Sequence, residues 1–533
     1  MLALNGKELE AYKKDVLRIQ PDWNERDFTS NVRSYLDGKL GKVLAVSGLR
    51  GTGKTVGILQ AAKDLDILYV LTEKNEPEKG KDYIKLLENA KQKYVVFDEY
   101  SWIEGRQDLD DCLITFVQHG KRIVLTATES ITLDFLNYGP LIHRIDILHT
   151  TMFPYKEYLR MYNKEHSKAT CEEFLREGGL FKEYAIKNFA SAQQYIDNAI
   201  VKNLAGYLSS KMSEEKARTL TYAVLYEAVC PSNLKSIPTL RGKGVSLPSF
   251  FNKMNVNTSI IPDKSDLKMI ADIFEQTGII VRIPNFNKDS KRDEQYYITN
   301  PSLTCQLISN IYGAATVNKD VLGHVFESCI AVQLFTNKLS EHNIYFFYNG
   351  GISGLTDNKE LDLVITDKNK TYAYFFECKY AQDRNLEQKI TLLSGYLEKN
   401  DFKDISIEGR YVVYTGKPTV QNRSVGTIIL TPPNDMLDYY FNFERNVELI
   451  TNNNGMRNRR DDDSDNHDIS SISTGIKKVV DSLASEAKKI KGKISGIITE
   501  EKERISKSFA KMSSGPAITT FSSVNINDDS WSR

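Results

Sequence analysis

Net charge is missing from this sequence: 70 Lys and Arg stand against 70 Asp and Glu over 533 residues. Without a global field the chain is not drawn to nucleic acid as a whole, so any basic binding surface has to be local. No apolar run approaches the length of a membrane span and no signal-peptide pattern opens the chain, which sets the expectation of a cytoplasmic protein without a transmembrane segment. Cysteine is scarce: Cys112, Cys171, Cys230, Cys305, Cys329 and Cys378 are widely separated. They lack metal-ligand pairing and suit reduced thiols in a cytoplasm. No convincing internal repeat is present. The length suits three or four folding units, each able to bury a core.

What is present begins at Gly48-Leu49-Arg50-Gly51-Thr52-Gly53-Lys54-Thr55, the full G-x-x-x-x-G-K-[ST] pattern, directly after the apolar run Val43 to Val46. A buried strand leads into a glycine-rich turn whose N–H groups can converge on phosphate oxygens, and a helix starting near Lys54 adds its positive dipole end. Lys54 is expected to reach β/γ-phosphates and Thr55 to ligate Mg²⁺. The alternative is a chance glycine-rich turn.

A second element, Tyr94-Val95-Val96-Phe97-Asp98-Glu99, runs four apolar residues into two acids. Asp98 at the strand end is placed to hold Mg²⁺ through water, and Glu99 to polarise a water attacking the γ-phosphate. The bland reading is a strand that exits into solvent. Ile67 to Leu71, Arg122 to Thr128 and His143 to Leu148 are further strand-like runs. The tip of the Arg122 run offers Thr126 or Thr128 as a sensor of the γ-phosphate, although threonine is also an ordinary strand residue. Strand and helix patterns alternating at this spacing imply a parallel sheet covered on both faces, a three-layer core over 41–150.

Residues 151–230 read as helical, a lid after the sheet. Over 231–305 a short helix near Phe250-Phe251, a longer one from Asp263 to Gln276 stopped at Gly278, and a hairpin of Ile279 to Ile283 with Gln295 to Ile298 make a winged helix-turn-helix. Its candidate recognition helix mixes Lys264 and Lys268 with Asp263, Asp266, Asp272 and Glu275. Groove insertion demands net positive charge. Contact with a nucleic-acid backbone through Arg282, Lys288, Lys291 and Arg292 and a purely regulatory packing role both stay open.

A third constellation lies in 306–445. Glu360 to Ile365 is a strand carrying Asp362, and Tyr372 to Lys379 a second strand carrying Glu377 and Lys379 on one face. Asp362 and Glu377 are placed to share a hard divalent cation, and Lys379 to orient or help deprotonate the attacking water. Glu327, on a helix from Gly323 to Leu334, is a further metal ligand, with Gln388 a weaker one. This D…E-x-K arrangement resembles that of restriction-endonuclease-like nucleases. The same acids can also persist as a satisfied polar network without cleavage.

Taken in order, GLRGTGKT, YVVFDE, RIVLTATES, HRIDILHTTMFPYKEY, GHVFES, ELDLVI and FFECK resemble prokaryotic AAA-superfamily ATPases with a winged helix and a C-terminal restriction-endonuclease-like domain, over roughly residues 20–430. The resemblance implies an α/β fold: a P-loop NTPase three-layer sandwich, a helical lid, a winged helix, then an α/β restriction-endonuclease-like domain; composition adds a mostly disordered tail after it. It also implies ATP and Mg²⁺ at Gly48 to Thr55 with Asp98 and Glu99, and by analogy an arginine such as Arg144 near the nucleotide. Two departures stand out: Thr126-Ala127-Thr128 where that family usually has Thr-Gly-Ser, and a long polar tail.

Residues 1–40 are expected to be an N-terminal helical segment. In the tail, 446–533, the charge block Arg457 to Asp468 cannot bury a core. Ile476, Val480, Leu483, Ala487, Ile490, Ile494 and Ile497 follow at coiled-coil spacing with a lysine-rich surface. Oligomerisation, binding to an anionic surface and ordering on a partner remain open there. Two functions follow from the whole: a Mg-dependent ATPase coupled to a nuclease-like domain acting on DNA or RNA, with homo-oligomerisation open, or a nucleotide-gated interaction switch whose nuclease-like domain is non-catalytic.

Overall fold

The computed structural model describes residues 2–18, 24–38, 41–73, 77–127, 139, 141–151, 153–178, 192–229, 246–288, 294–312, 319–349, 359–380 and 386–441. Thr128, Lys291, Arg292, Cys230 and the whole tail with its lysine-rich helical pattern lie outside these residues.

Six short strands build the N-terminal sheet: β1 (Leu2–Leu4), β2 (Val43–Ser47), β3 (Ile67–Leu71), β4 (Tyr94–Asp98), β5 (Arg122–Thr126) and β6 (Ile145–His149). Their spatial order is β1-β3-β4-β5-β2-β6. The five strands β2 to β6 run parallel, and β1 pairs antiparallel with β3 at one edge. Within the segment expected to be helical over 1–40, Leu2–Leu4 adds a strand to the sheet ahead of the helices Gly6–Arg18 and Asp27–Asp37.

Strands buried on both faces read as continuous aliphatic runs, because each successive side chain meets a helix layer. Val43, Ala45, Val95, Phe97, Ile123 and Leu125 pack on one face against Tyr83 and Leu87 of the helix Gly80–Asn89 and Leu109, Leu113 and Val117 of the helix Gln107–Gln118. Leu44, Val46, Val96 and Val124 pack on the other against Phe28, Val32 and Leu36 and against Ile58 and Leu59 of the helix Lys54–Ala61. Gly57 lets that last helix approach: a Cβ there would meet the Phe28 ring at 2.4 Å.

After the sheet come the helices Tyr155–Met161 and Lys168–Glu177, then Ala192–Ile196 and Lys202–Tyr207 joined by a wider π turn, Asp197–Val201. The helix Glu214–Val229 falls on the lid side of a boundary at residue 230, yet it is bonded to the segment that follows. Arg218 donates to the carbonyls of Met254 (2.9 Å) and Asn255 (2.6 Å), and Lys216 pairs with Asp266 at 2.6 Å. The helices Leu247–Lys253 and Lys264–Gln276 precede an antiparallel hairpin of β7 (Ile280–Pro284) and β8 (Glu294–Ile298). Gly278, at φ 71°, ends the longer helix as Ile279 N–H bonds back to Phe274 O at 2.8 Å.

A second sheet holds β9 (His342–Asn349), β10 (Lys359–Asp367), β11 (Tyr372–Lys379), β12 (Ser406–Tyr414), β13 (Thr419–Arg423) and β14 (Gly426–Thr431) in the order β13-β14-β12-β11-β10-β9. β9, β10 and β11 are antiparallel, whereas β11, β12 and β14 are parallel. Phe326 and Ile330 of the helix Lys319–Asn337 share one core with Leu363, Ile365 and Phe376. Ile390 and Leu397 of the helix Glu387–Leu397 share another with Val364, Phe375 and Val412.

Candidate functional site

Gly51 and Gly53 adopt φ of 82° and 81°, the left-handed region that a side chain resists, and this is what lets the chain turn between β2 and the helix starting at Lys54. The loop is tied down at several points. Thr52 Oγ1 donates to Leu49 O at 2.8 Å and lies 2.9 Å from Thr150 Oγ1, while Thr151 Oγ1 accepts from Leu49 N–H at 3.2 Å. Lys54 is buried and its ammonium folds over the turn onto Gly48 O (2.7 Å) and Leu49 O (3.1 Å). Burial lowers its pKa to about 8; the charges of Glu99 and Asp98 act in the opposite sense.

Asp98 closes β4 facing that loop. Its Oδ2 accepts from the Thr55 hydroxyl at 3.0 Å and from the buried Tyr69 phenol, and its Oδ1 accepts from the Thr126 hydroxyl at the tip of β5. β5 stands between β2 and β4, which is why Thr126 reaches across to the acid while Thr55 meets it from the helix. Burial and the Asp98 charge push the Tyr69 phenol well above its usual range. Glu99 sits just beyond at φ 65°, held by Thr72, whose hydroxyl donates to the carbonyls of Asp98 (3.0 Å) and Glu99 (2.5 Å). A glutamate held at positive φ is a strained placement of the kind found at functional sites.

The structure thus brings Gly48 to Thr55, Asp98, Glu99 and Thr126 to one edge of the sheet, and it does not bring Arg144 there. Val43 pairs with Ile145 and Ser47 with His149, so Arg144 precedes β6 at the opposite edge, about 16 Å away along the strands. Its own chain does not place it beside the loop, and the expectation, by analogy, of an arginine such as Arg144 near the nucleotide is corrected within the chain.

Several contributors were not anticipated. Arg26, just before the helix Asp27–Asp37, forms a two-pronged pair with Glu157 (2.7 and 3.0 Å) and also donates to Thr52 O at 2.7 Å and Thr150 O at 3.1 Å. Tyr195 donates to Arg50 O at 3.0 Å, and Thr151 reaches Thr277 O at 3.4 Å. The loop is therefore held by the N-terminal segment, the helix Ala192–Ile196 and the end of the helix Lys264–Gln276. Only Tyr69 left a readable signal, a lone hydroxylated ring inside the aliphatic run Ile67 to Leu71 that needs a buried partner.

In the second sheet Asp362 and Glu377 are buried. Asp362 sits where the β9–β10 register shifts, a bulge that re-aims side chains. Its Oδ2 accepts from Cys378 N–H at 2.6 Å, and Glu377 pairs with Lys379 at 2.5 Å, as strand alternation requires. Glu327 accepts from Tyr297 of β8 at 3.2 Å. Burial, reinforced by the charges of Asp362 and Glu360, raises its pKa to about 8. Among the described residues no three His, Cys, Asp or Glu side chains gather as a metal-ligand set. The expected second divalent ion on Glu327, Asp362 and Glu377 thus has no assembled cage here, because two of the acids are engaged by neighbours on their own strand pair. Gln388 lies on the helix Glu387–Leu397, with its side chain outside the described part. Arg282, a candidate for backbone contact, is committed to Asp272 at 2.7 Å and to Glu275.

A parallel sheet whose first buried strand leads through a two-glycine turn into Lys54 and Thr55, facing Asp98, is a P-loop nucleotide-site architecture. Residues 40–159 match the family model described as AAA domain, so this part of the chain is similar to AAA domains, a family that in general uses ATP and Mg²⁺. The match covers less than half of the chain, and the assignment is to those residues. No curated protein matches the chain. Three solved structures resemble parts of it at a TM-score of 0.23 each. The Aeropyrum pernix Orc1 protein in complex with DNA is 14% identical and covers 57% of this chain and 98% of its own. The Thermotoga maritima RuvB Holliday junction branch migration motor is 15% identical, over 50% and 91%. The S. cerevisiae Hsp104:casein complex is 12% identical, over 52% of each. Likenesses this remote carry no weight for fold or function.

Proposed function

We propose that the protein binds ATP at Gly48 to Thr55 and hydrolyses it with Mg²⁺, coupling nucleotide state to its C-terminal half. The observation that carries this reading is Thr55 Oγ1 lying 3.0 Å from Asp98 Oδ2 directly behind Lys54. Two hard oxygen donors at that spacing fit Mg²⁺, which is usually held by one or two carboxylates plus substrate phosphates. When bound, the ion would neutralise charge on the β- and γ-phosphates.

The chain's own groups do the rest. Backbone N–H groups of the turn and the start of the helix Lys54–Ala61 receive phosphate oxygens. Lys54 exchanges the carbonyls of Gly48 and Leu49 for those oxygens. Glu99 orients the attacking water and draws its proton, and Thr126, bonded to Asp98, couples that acid to the γ-phosphate position. Tyr195 and Thr151, which bond the loop to the lid and to the helix Lys264–Gln276, give the nucleotide a path to the rest of the molecule. The test is ATP hydrolysis by the purified protein with Mg²⁺, with and without DNA, RNA or single strands. Lys54→Ala removes the activity; an unchanged rate ends the assignment.

For the C-terminal half we propose a nuclease-like sheet with Lys379 beside Glu377 and Asp362, on the support of strand order and those contacts. The bonds that engage Asp362 and Glu377 favour a second reading, a nucleotide-gated switch that recognises a nucleic-acid or protein partner without cutting it. Nicking lost in Asp362→Ala and Lys379→Ala separates the two. The order of the helices Leu247–Lys253 and Lys264–Gln276 and the hairpin supports a winged helix. No helix among the described residues is long and apolar enough to cross a membrane; a cytoplasmic location and a homo-oligomer belong to the same proposal.

A further inference from the structure

Arg26 and Glu157 lie 131 residues apart in the chain, and their side chains are 6% and 2% exposed. An ion pair taken this far out of water costs more in desolvation than its attraction commonly returns, so stability alone is a weak reason for its presence. Its remaining bonds supply another. The guanidinium satisfies both Glu157 oxygens and still donates to Thr52 O in the glycine-rich turn and Thr150 O after β6. Its planar group is flanked by Phe153, 4.8 Å from the ring centre, and by Phe28 at 5.3 Å. Glu157 also accepts from Asp27 N–H at 2.8 Å, which fixes the carboxylate from the same segment that delivers Arg26.

The Thr52 contact has a geometric consequence. In a trans peptide the C=O and the following N–H point in opposite directions, and no cis bond occurs among the described residues. Anchoring Thr52 O on Arg26 therefore aims the Gly53 N–H to the side away from Arg26. Gly53 has no Cβ to resist that orientation, and without the anchor this peptide is free to turn over.

We propose that Arg26 and Glu157 form a clasp that positions the nucleotide loop: Arg26 holds the Thr52–Gly53 peptide with its N–H turned toward phosphate, and Glu157 holds Arg26. This rests on the ATP reading of the loop. Both are positioning residues, and neither touches the reacting atoms.

The decisive variant is the double substitution Arg26→Met with Glu157→Leu, which replaces the pair by apolar groups of similar size and leaves no buried charge alone. Binding of a fluorescent N-methylanthraniloyl ATP with Mg²⁺, and the melting transition, are measured on the full chain. The expected result is a retained cooperative transition with Kd weakened about tenfold or more. Arg26→Lys, which keeps the charge but not the fork, is expected to raise KM for ATP with kcat at saturation little changed, and to speed amide exchange at Gly53. Glu398→Gln, which breaks the Arg410–Glu398 pair in the second sheet, serves as a control and leaves Kd unchanged. Equal Kd in wild type and the double variant, or an equal loss in Glu398→Gln, overturns the clasp. Failure of the wild-type protein to bind the nucleotide overturns the ATP reading itself, and the clasp with it, and is told apart because it appears before any substitution.

Discussion

In the N-terminal sheet Asp98 accepts from three hydroxyls, brought by the helix Lys54–Ala61, by β3 and by β5; in the C-terminal sheet Asp362 accepts from a backbone N–H of the next strand, and Glu377 is held by Lys379 two residues on. Asp98 and Glu377 each follow an apolar run, and in sequence those two look alike. The difference lies in where the strands stop. β4 ends at Asp98, so its carboxylate stands at the mouth of a turn lined with O–H donors, which a cation or a phosphate can exchange with. β10 and β11 continue past their acids, which are buried and bonded inside the sheet. An acid at the end of a parallel strand is a readier ligand than one in its middle, in keeping with ligand sites lying outside the carboxyl ends of such strands.

The largest effect expected is at the first site. Lys54→Ala should lower ATP turnover about 10³-fold, measured by phosphate release. Glu99→Gln should cost about 10²-fold in turnover while nucleotide binding persists, which tells water activation from phosphate binding. An equal ATPase loss in Glu377→Gln would break the contrast between the sheets; that substitution is expected to leave turnover within about twofold, as distant sites behave independently. Tyr69→Phe removes one charged acceptor bond without changing shape and should cost about 2 kcal/mol in denaturant unfolding.

The smallest effect is a pH dependence where His166 meets the C-terminal half. His166 packs its Nδ1 3.0 Å from the Tyr155 hydroxyl, and burial lowers its pKa below 6.5, opposed by Asp435. Below pH 6.5 the unfolded chain binds the proton more readily than the folded one. Stability present at neutral pH is therefore lost as pH falls through 6.5 toward the folded value. His166→Asn should flatten the melting temperature between pH 5 and 6.5.

The P-loop pattern and YVVFDE were legible because each packs its chemistry into one short run whose flanking strand is itself apolar. The sheet's parallel core followed from the same runs. Arg26 and Glu157 were not legible: each is an ordinary charged residue near a helix start, and only tertiary folding brings them together. Arg144 was misplaced because a strand pattern reveals neither which edge faces the ligand nor which strands neighbour it. The helix Glu214–Val229 carries apolar residues on most of its surface, so periodicity could not say which layer it would join. In the second sheet Glu377 and Lys379 were correctly put on one face, while their mutual pairing depends on burial that spacing does not encode.

Calorimetry of ATP with Mg²⁺ against the wild-type protein and Lys54→Ala tests the central claim most directly. A single saturable site in the wild type, abolished or greatly weakened by the substitution, is the predicted result. No heat of binding in the wild type, or identical isotherms for the two proteins, would contradict it.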